Sequence, residues 1–425
     1  MKIHCIGIGG IGVSALARYY VAQGHQVSGS DLAASEITDA LAKEGVKILI
    51  GNSAENISKD VEAVVYSPAV QKTNPELKQA KKYKIPTKSY PQALGELTKS
   101  HYTIAIAGSH GKSTTTALVA LILVKAGIDP TVIVGTKLKE FGDSNFRQGK
   151  SKYLVIEACE YDGSFLEYDP KIIVVTNVDK EHLDYFKTFD NVKKTFKNFV
   201  KKLPKDGALV FNADDVHSKI LPAGRQARGY SLKDAEAQEI KNILQIPGEH
   251  NVSNALAALQ VARVLNVPDE VTFKALGEYQ GSWRRFEIVK TKPYTVISDY
   301  GHHPNEVAAT LKSAREKFPG KKIWLIFQPH QYQRTHYLFD DFVTVFRMAP
   351  IDEIIITDIY DVAGREEKNI SQGTSSQKLV EAIKSNHIVY KPVEESEKYV
   401  HEHIREGEIL IIMGAGNIYK LAEKF

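Results

Sequence analysis

The chain has 425 residues, of which 43% are hydrophobic and 25% charged, and its formal net charge is +4. This composition is globular and argues against long disorder, and the scattered lysines form no basic stripe of the kind that nucleic acid requires. No apolar run is long enough to span a bilayer, and no signal-peptide pattern precedes the first strand. We therefore expect a cytoplasmic protein of two to three domains that binds neither nucleic acid nor membrane.

The first motif is a glycine loop that follows a short apolar strand. The strand Lys2–Ile6 precedes Gly7-Ile-Gly-Gly-Ile-Gly12 and a helical run, which is a βαβ opening. The next predicted strand ends at Ser30-Asp31, where a dinucleotide-binding fold places the acid that holds a ribose hydroxyl. This loop by itself would suggest an NAD-dependent enzyme.

A second glycine loop begins the next block of the chain. The apolar run Ile104–Ala107 leads into Gly108-Ser-His-Gly-Lys-Ser113 and then into helix formers, which predicts a strand, a phosphate loop and a helix. Lys112 suits the β- and γ-phosphates of ATP, and the Ser113 hydroxyl suits Mg²⁺. The loop is shorter than the common P-loop, so an ordinary glycine-rich turn is the alternative. Two such loops in one chain indicate two phosphate-bearing ligands.

Candidate metal ligands follow two further strands of this block. Glu157 ends the strand Tyr153–Glu157, and His182 follows the strand Ile172–Thr176. In a parallel sheet both would emerge at the edge that carries the phosphate loop, where Mg²⁺ could bind with Ser113. The spacing leaves open whether His182 is an ordinary loop residue. It also leaves open which acid points inward: Glu157, Glu160 or Asp162.

Strands alternate with helices along the whole chain, which predicts a parallel α/β sheet in each of three blocks. We expect a Rossmann-like N-terminal domain at 1–98, a P-loop ATPase-like central domain at 99–281 and a Rossmann-like C-terminal domain at 282–425. The third block begins near Ser282-Trp-Arg-Arg-Phe286 and contains the apolar runs Ile323–Phe327, Glu353–Thr357 and Glu408–Ile412.

Together, these motifs resemble the Mur ligase family, the ATP-dependent amide-forming enzymes of bacterial cell-wall precursor synthesis. The short phosphate loop is this family's own form. The resemblance covers essentially the whole chain, and the segments that carry it beyond the two loops are Ser28–Asp31, Glu157–Tyr161, Pro247–Asn254, Arg284–Phe286, Asp299–Pro304, Phe327–Thr335 and Gly414–Gly416. Asp299-Tyr-Gly-His-His-Pro304 and Phe327-Gln-Pro-His330 match the alanine-adding branch of the family.

The resemblance implies one ligand for each domain. The N-terminal domain would bind UDP-N-acetylmuramate, the central domain ATP with Mg²⁺, and the closing C-terminal domain L-alanine. The substrate carboxylate would attack ATP to give an acyl phosphate, which the amine of alanine then converts to an amide. The family needs no nicotinamide, so the ribose interpretation of Asp31 gives way to contacts with the UDP substrate, implied for Gly9, Gly10, Ile11, Gly12, Ser30, Asp31 and Ser67.

Further site residues are implied by the same match. The catalytic residues would be Lys112, Glu157, His182, Arg285 and His302, with Ser113, Glu157 and His182 as metal ligands. The ATP contacts would be Gly108, Ser109, His110, Gly111, Lys112, Ser113, Thr114, His250, Asn251, Asn254 and Asp299. The amino-acid pocket would contain Tyr300, His302, His330 and Arg334. Without the family match, Asn251 and Asn254 would predict a helix cap, and Arg285 would predict a surface ion pair.

One position departs from the family pattern. Many alanine ligases have a second arginine where this chain has Gln331, so Arg334 would bind the alanine carboxylate with help from an amide. Alternatives are a murein peptide ligase that uses a whole tripeptide, an NAD-dependent oxidoreductase, and a non-catalytic module that binds UDP-sugar or ATP. The presence of Lys112, Ser113, Glu157, His182 and Arg285 in the sequence argues against the last. We expect a monomer or a weak homodimer.

Overall fold

The computed structural model describes residues 1–219, 221, 226–361 and 370–425. They divide into two compact units. The first comprises Met1–Ile243 and Ser253–Tyr279, and the second comprises Leu244–Val252 and Gln280–Phe425. Among the helices of these residues, none is both long and apolar enough to cross a lipid bilayer.

The N-terminal sheet is parallel and has helices at its crossovers. Its strands are β1 (Lys2–Ile6), β2 (Gln26–Asp31), β3 (Lys47–Ile50), β4 (Ala63–Tyr66) and β5 (Thr87–Ser89). Its helices are α1 (Ile11–Ala22), α2 (Glu36–Lys43), α3 (Pro75–Lys82) and α4 (Tyr90–Lys99), with a 3₁₀ turn at Ala54–Asn56. The strand order β3-β2-β1-β4-β5 places the end of β1 at the point where the chain reverses direction across the sheet, which is where Rossmann-like folds bind ligands.

The middle sheet belongs to the same unit. Its described strands are β6 (Tyr102–Ala107), β7 (Thr131–Leu138), β8 (Ser144–Arg147), β9 (Tyr153–Glu157), β10 (Ile172–Val175), β11 (Ala208–Asn212) and β12 (Gln226–Tyr230), in the order β12-β11-β10-β6-β9-β7-β8. The helices are α5 (Lys112–Lys125), α6 (Leu183–Phe186), α7 (Phe189–Val200), α8 (Glu236–Ile243), α9 (Glu249–Val264) and α10 (Asp269–Glu278), with 3₁₀ turns at Lys139–Phe141 and Tyr161–Glu167. Its edge strand β8 is antiparallel to β7.

The second unit contains the third sheet. Its described strands are β13 (Glu287–Lys290), β14 (Thr295–Asp299), β15 (Ile323–Phe327), β16 (Glu353–Ile356), β17 (Ile388–Tyr390) and β18 (Ile409–Met413), in the order β13-β14-β18-β15-β16-β17. The helices are α11 (Pro304–Lys317), α12 (Tyr332–Tyr337), α13 (Phe339–Arg347), α14 (Ile370–Gly373), α15 (Ser376–Ile383) and α16 (Val393–His403), with a 3₁₀ segment at Asn417–Glu423. Every residue of β15 and β18 is buried, as expected of central strands covered on both faces.

The predicted α/β fold with parallel-dominated sheets is confirmed. Two antiparallel edge strands, β8 and β13, were not part of the prediction. Such an edge strand depends on a partner strand supplied by the folded sheet, and its short sequence carries little signal of its own.

Candidate functional site

The phosphate loop joins β6 to α5, and two of its glycines have conformations that other residues rarely adopt. Gly108 has φ +140° and Gly111 has φ +82°. A Cβ atom on Gly108 would lie 1.9 Å from Oγ1 of Thr176, and one on Gly111 would lie 2.3 Å from Oδ1 of Asn254. Backbone conformation and space therefore both require glycine here. The loop ends at the N-terminus of α5, where exposed N–H groups favour an anion.

The residues after β10 hold the backbone of this loop. The N–H of His110 donates to Oδ1 of Asn177 at 2.9 Å, and the Thr176 hydroxyl donates to the His110 carbonyl at 2.5 Å. The N–H of Asp179 donates to the Ser109 hydroxyl oxygen at 2.8 Å. Because β10 pairs directly with β6, strand packing in the sheet sets the shape of the loop.

The ammonium group of Lys112 lies inside the loop. Its Nζ donates to the carbonyl of Gly108 at 2.6 Å and to that of Ser109 at 3.0 Å, and it lies 3.0 Å from Oε2 of Glu160. Burial alone would lower the pKa of Lys112, but the charges of Glu160 and Glu157 and the hydrogen bond to Glu160 act together with the other nearby groups to hold the pKa above its ordinary value. The lysine therefore stays charged at the place where phosphate would bind.

Glu157, at the end of β9, contacts Ser113, the residue that follows Lys112 in the loop. Its Oε2 accepts hydrogen bonds from the Ser113 hydroxyl and from the N–H of Gly135, both at 2.9 Å. A carboxylate and a hydroxyl oxygen side by side are hard donors of the kind that Mg²⁺ prefers. The donor set of Ser113 and Glu157 therefore fits a magnesium ion.

Glu160 lies close to both Lys112 and His182. The Glu160 side chain is 1% exposed, and its Oε1 lies 3.7 Å from Nε2 of His182. The His182 ring packs edge-on against Tyr161 with ring centroids 4.9 Å apart, and its backbone has φ +56°. Of the three acids left open by the sequence, Glu157 meets Ser113, Glu160 meets Lys112 and His182, and Asp162 is exposed.

The predicted ATP contacts beyond the loop are divided between the two units. Thr114 and Asn254 are buried in the first unit, where the Asn254 amide lies against Gly111. In the second unit, Nδ2 of Asn251 donates to the Pro247 carbonyl at 2.6 Å. Burial lowers the pKa of His250 to about 4, so its ring is neutral at physiological pH.

The first glycine loop is attached to the end of β2 by a carboxylate. Oδ2 of Asp31 accepts from the N–H of Gly9 at 2.8 Å. Gly10 precedes the first turn of α1, which begins at Ile11, and a Cβ atom on Gly12 would lie 2.8 Å from the ring of Tyr90. Asp31 therefore shapes this loop through its backbone.

Two predicted UDP contacts flank that loop at the ends of β2 and β4. The Ser30 hydroxyl is buried and donates to Oε2 of Glu76 at 2.6 Å, while its carbonyl accepts from the N–H of Gly7 at 2.8 Å. The Ser67 hydroxyl oxygen accepts from the N–H of Ala69 at 3.3 Å. Both residues lie at the sheet edge that carries the loop, and the Ser30 side chain faces the interior.

In the second unit, Asp299 ends β14 and binds the backbone of its neighbours. Its two carboxylate oxygens accept from the N–H groups of Phe286 and Gly301, each at 2.8 Å. Burial raises the pKa of Asp299, although these N–H groups and Arg285 act in the opposite direction. The Arg285 guanidinium lies 4.9 Å from the centre of the Tyr300 ring.

The neighbouring Arg284 has a different environment. It is buried, donates to the carbonyls of Gly414 and Gly416, and lies 4.4 Å from the centre of the Tyr419 ring. Arg284 therefore joins the start of the domain to the end of its last strand, whereas Arg285 is half-buried.

The four predicted amino-acid contacts lie together. The ring of His302 is 5.3 Å from that of Tyr300 and 5.8 Å from that of His330. Arg334 donates to the ring nitrogen of His330 at 3.2 Å and to its carbonyl at 3.1 Å, and Tyr360 stacks on the same ring at 5.6 Å. The cluster is aromatic and cationic, which suits a small amino-acid carboxylate.

Gln331 borders this cluster at the N-terminus of α12. Its backbone has φ +71°, and its N–H donates to the carbonyl of Tyr360 at 2.9 Å. The residue is 9% exposed. Whether its amide faces the amino acid stays a prediction.

Sequence reasoning missed several residues of these clusters. Gly135 carried a usable signal, because an isolated glycine within a strand often marks a close backbone approach. Glu306 follows Pro304 at the start of α11 and would be interpreted first as a helix-capping residue. Tyr360 and Glu76 come from segments distant in sequence, and their types and spacing gave no indication of their contacts.

Family models match the chain in three consecutive segments. They are described as Mur ligase family, catalytic domain, at residues 2–102; Mur ligase middle domain, at 106–262; and Mur ligase, glutamate ligase domain, at 284–416. A curated relative, the UDP-N-acetylmuramate–L-alanine ligase of Aquifex aeolicus, is 42% identical and is matched over 100% of this chain and 97% of its own length.

Two solved structures are similar over the full chain. The UDP-N-acetylmuramate-alanine ligase MurC of Thermotoga maritima has a TM-score of 0.83 at 29% identity, with 100% of this chain and 98% of that chain covered. A murein peptide ligase of Psychrobacter arcticus has a TM-score of 0.75 at 24% identity, with the same coverage, and shares the fold. On the strength of three matching domain models and a full-length relative above 40% identity, this chain belongs to the Mur ligase family.

Proposed function

We propose that this protein joins L-alanine to the lactyl carboxylate of UDP-N-acetylmuramate and converts ATP to ADP and phosphate. The observation that carries this proposal is the similarity to a curated L-alanine ligase over the whole length of both chains. The cluster of Lys112, Ser113 and Glu157 supports it, because it combines a charged lysine with two oxygen donors at a helix N-terminus.

The reaction must overcome the low reactivity of a carboxylate toward an amine in water. The lactyl carboxylate attacks the γ-phosphate of ATP, which releases ADP and leaves an acyl phosphate. The amine of alanine then attacks the acyl carbon, and phosphate leaves through a tetrahedral intermediate. The work of the protein is to position the reactants and to balance charge.

The residues divide that work by location. Lys112 binds the phosphate oxygens from within the loop, and Arg285 contributes a second positive charge from the C-terminal domain. Ser113 and Glu157 would hold one Mg²⁺ ion and His182 a second. Bound Mg²⁺ neutralises charge on the phosphates.

The substrates are assigned to three sites by the same reasoning. The N-terminal glycine loop binds the UDP diphosphate, with Asp31 fixing its shape through Gly9. Neutral His250, with Asn251 and Asn254, binds the adenine. Tyr300, His302, His330 and Arg334 bind alanine. We also propose that the reaction takes place in the cytoplasm and that the protein is a monomer or a weak homodimer.

An ADP-release assay tests the proposal directly. Purified protein, ATP, Mg²⁺ and UDP-N-acetylmuramate are combined with L-alanine, glycine, L-serine or the tripeptide used by murein peptide ligases. We expect the highest kcat/KM with L-alanine, and no sustained ADP release when any one substrate is omitted. A preference for the tripeptide would assign the protein to peptide recycling instead.

A further inference from the structure

His302 and Glu306 form a pair at the start of α11 that the assigned roles do not explain. Oε2 of Glu306 lies 3.3 Å from Nδ1 of His302 and accepts from the backbone N–H of His302 at 3.1 Å. Nδ1 also lies 3.0 Å from the carbonyl oxygen of Tyr300. Both side chains are mostly buried, with exposed fractions of 16% and 17%.

These contacts fix which ring nitrogen of His302 carries the proton. A backbone carbonyl and a carboxylate only accept hydrogen bonds, so Nδ1 must be the donor. In the neutral ring, the lone pair is then on Nε2. The adjacent His303 has the opposite arrangement, because its Nδ1 accepts from the N–H of Asn305 at 3.3 Å and thereby caps the helix.

We propose that His302 is the base that removes a proton from the ammonium group of the incoming amino acid, and that Glu306 is its positioning residue. This inference rests on the proposed function. Glu306 holds the tautomer with Nε2 unprotonated and stabilises the imidazolium that forms, as a carboxylate does beside a catalytic histidine.

The proton transfer is balanced without any further reagent. An N–H bond of the alanine ammonium breaks, its electron pair stays on nitrogen, and the proton bonds to Nε2 of His302. The free amine then attacks the acyl carbon, the C–O bond to phosphate breaks, and the departing phosphate takes the second proton from nitrogen. The imidazolium later gives its proton to solvent, which restores the base for the next cycle.

Other charged and titratable groups of the C-terminal unit surround this pair. His330 lies 5.8 Å from the His302 ring and is hydrogen-bonded to Arg334. Glu306 interacts electrostatically with Asp299 and His250, and both of these also interact with Arg285. Tyr300 and His303 also lie beside the pair. Arg334 contacts His330 and Arg285 lies over the Tyr300 ring, while the carboxylate of Glu306 contacts the His302 ring.

The test uses two nucleophiles. L-Alanine is an ammonium ion at neutral pH and needs a base, whereas hydroxylamine is uncharged there and traps the acyl phosphate as a hydroxamate. In Glu306→Gln, the amide oxygen can still accept hydrogen bonds from the backbone N–H groups of His302 and His303, but the negative charge of the carboxylate is lost. Glu316→Gln on the same helix is the matched control, since Glu316 is exposed and pairs with Lys312 at 3.8 Å.

We expect Glu306→Gln to lower kcat with L-alanine by about tenfold or more, with a much smaller loss for hydroxylamine. The deficit with alanine should shrink as pH rises, because more alanine arrives unprotonated. The acidic limb of the kcat/KM profile should move to lower pH, since the protonated ring loses its carboxylate. His302→Gln should show the same selectivity for alanine over hydroxylamine.

Three outcomes would overturn either the assisted-base proposal for His302 and Glu306 or the acyl-phosphate reaction on which it rests. Equal losses with both nucleophiles, or an alanine deficit that is constant with pH, would show that Glu306 does not assist a base. If Glu306→Gln fails to fold, His302→Gln decides the question by the same two measurements. If the unmodified protein forms no hydroxamate, the acyl-phosphate reaction itself is wrong.

Discussion

Neighbouring residues of the same type have separate environments at three places in this protein. Arg284 is buried against carbonyl oxygens, whereas Arg285 lies half-buried beside an aromatic ring. Glu157 accepts from a hydroxyl and a backbone N–H, whereas Glu160 faces an ammonium group. His302 and His303 show the same division. Identity and spacing in the sequence therefore cannot assign such pairs to roles.

The role of Lys112 leads to a first prediction. Lys112→Ala should lower kcat for ADP formation by at least about a hundredfold, because the lysine binds charge that shifts during phosphoryl transfer. Lys125→Ala is the control, since Lys125 is at the other end of α5 and pairs with exposed Glu278. Turnover near that of the unmodified protein in Lys112→Ala would mean that this loop does not bind the reacting phosphates.

The variant His182→Ala tests whether His182 is a metal ligand or an ordinary loop residue. His182→Ala should slow turnover at least about tenfold while leaving the melting temperature and ATP affinity nearly unchanged, because a metal ligand acts mainly on the transition state. His217→Ala removes a similar edge-on aromatic contact, with Phe189 at 4.8 Å, and should keep full activity. Early melting of His182→Ala with full activity per folded molecule would make His182 structural.

At the scale of elements, β7 brings a backbone N–H to the candidate metal site. Gly135 lies in a mostly buried strand, and a Cβ atom there would lie 2.5 Å from Oε2 of Glu157. The strand can therefore hold this carboxylate against Ser113 only while position 135 has no side chain.

Gly135→Ala should accordingly displace Glu157, lower kcat and raise the Mg²⁺ concentration needed for half-maximal activity. The measurement is activity against Mg²⁺, together with calorimetric titration of a non-hydrolysable ATP analogue at several Mg²⁺ concentrations. Gly277→Ala on α10 is the control, because its new Cβ atom meets nothing closer than 3.7 Å. An unchanged Mg²⁺ dependence would remove Glu157 from the metal site.

A buried polar cluster stabilises the N-terminal sheet behind the first glycine loop. Glu76 is fully buried and accepts hydrogen bonds from Ser30 at 2.6 Å and Asn56 at 2.8 Å, and it lies 3.2 Å from Nε2 of His4. Burial alone would raise the pKa of Glu76, but the hydrogen bonds with His4, Ser30 and Asn56 and the charge of His4 together outweigh burial and hold the pKa below its ordinary value of 4.5.

The sign of the resulting pH dependence follows from that shift. Because the folded pKa is lowered, the carboxylate stabilises the fold fully above the unfolded pKa of about 4.5, and this contribution is lost as pH falls through the folded pKa. Glu76→Gln should therefore lower the free energy of unfolding at pH 7. The difference in this free energy between the two proteins should shrink as pH falls through the folded pKa. Urea unfolding measures this, with exposed Glu62→Gln as control. A difference that is constant with pH would contradict it.

At the scale of the whole molecule, the N-terminal and middle sheets belong to one compact unit. Asn145 on β8 is fully buried, and its amide donates to the Ile11 carbonyl at 2.5 Å and to the Ser14 hydroxyl at 2.9 Å. Its Oδ1 accepts from Arg18 at 2.6 Å. The hairpin of β7 and β8 therefore makes two contacts. Asn145 on β8 binds the start of α1, beside the first glycine loop, and Gly135 on β7 binds Glu157 at the end of β9.

Removing this amide should weaken the unit. Asn145→Ala removes the three hydrogen bonds of a fully buried amide, which should cost about 1–3 kcal/mol of unfolding free energy, although Ile11 still accepts from Ser14 and Arg18 still pairs with Glu44. Gln148→Ala, which removes an exposed hydrogen bond to Gln23 at 3.2 Å, should cost far less. Equal stabilities in urea unfolding would show that β8 does not hold the two sheets together.

Much of this protein can be predicted from its sequence. Continuous apolar strands alternating with helices predicted three parallel α/β sheets, because central strands buried on both faces need apolar residues throughout. The two glycine loops, Lys112 and Ser113 were predicted because backbone approach to phosphate and metal chemistry require those residue types, whereas Glu157 was one of three candidate acids.

The tertiary structure decided what depends on contacts between distant segments. Local spacing does not determine which acid meets Lys112, which arginine is buried, or that Gly135 contacts Glu157 across neighbouring strands. The edge strands β8 and β13 also depend on contacts between distant segments. Each depends on strand order and helix position, which bring together residues that no local sequence pattern relates.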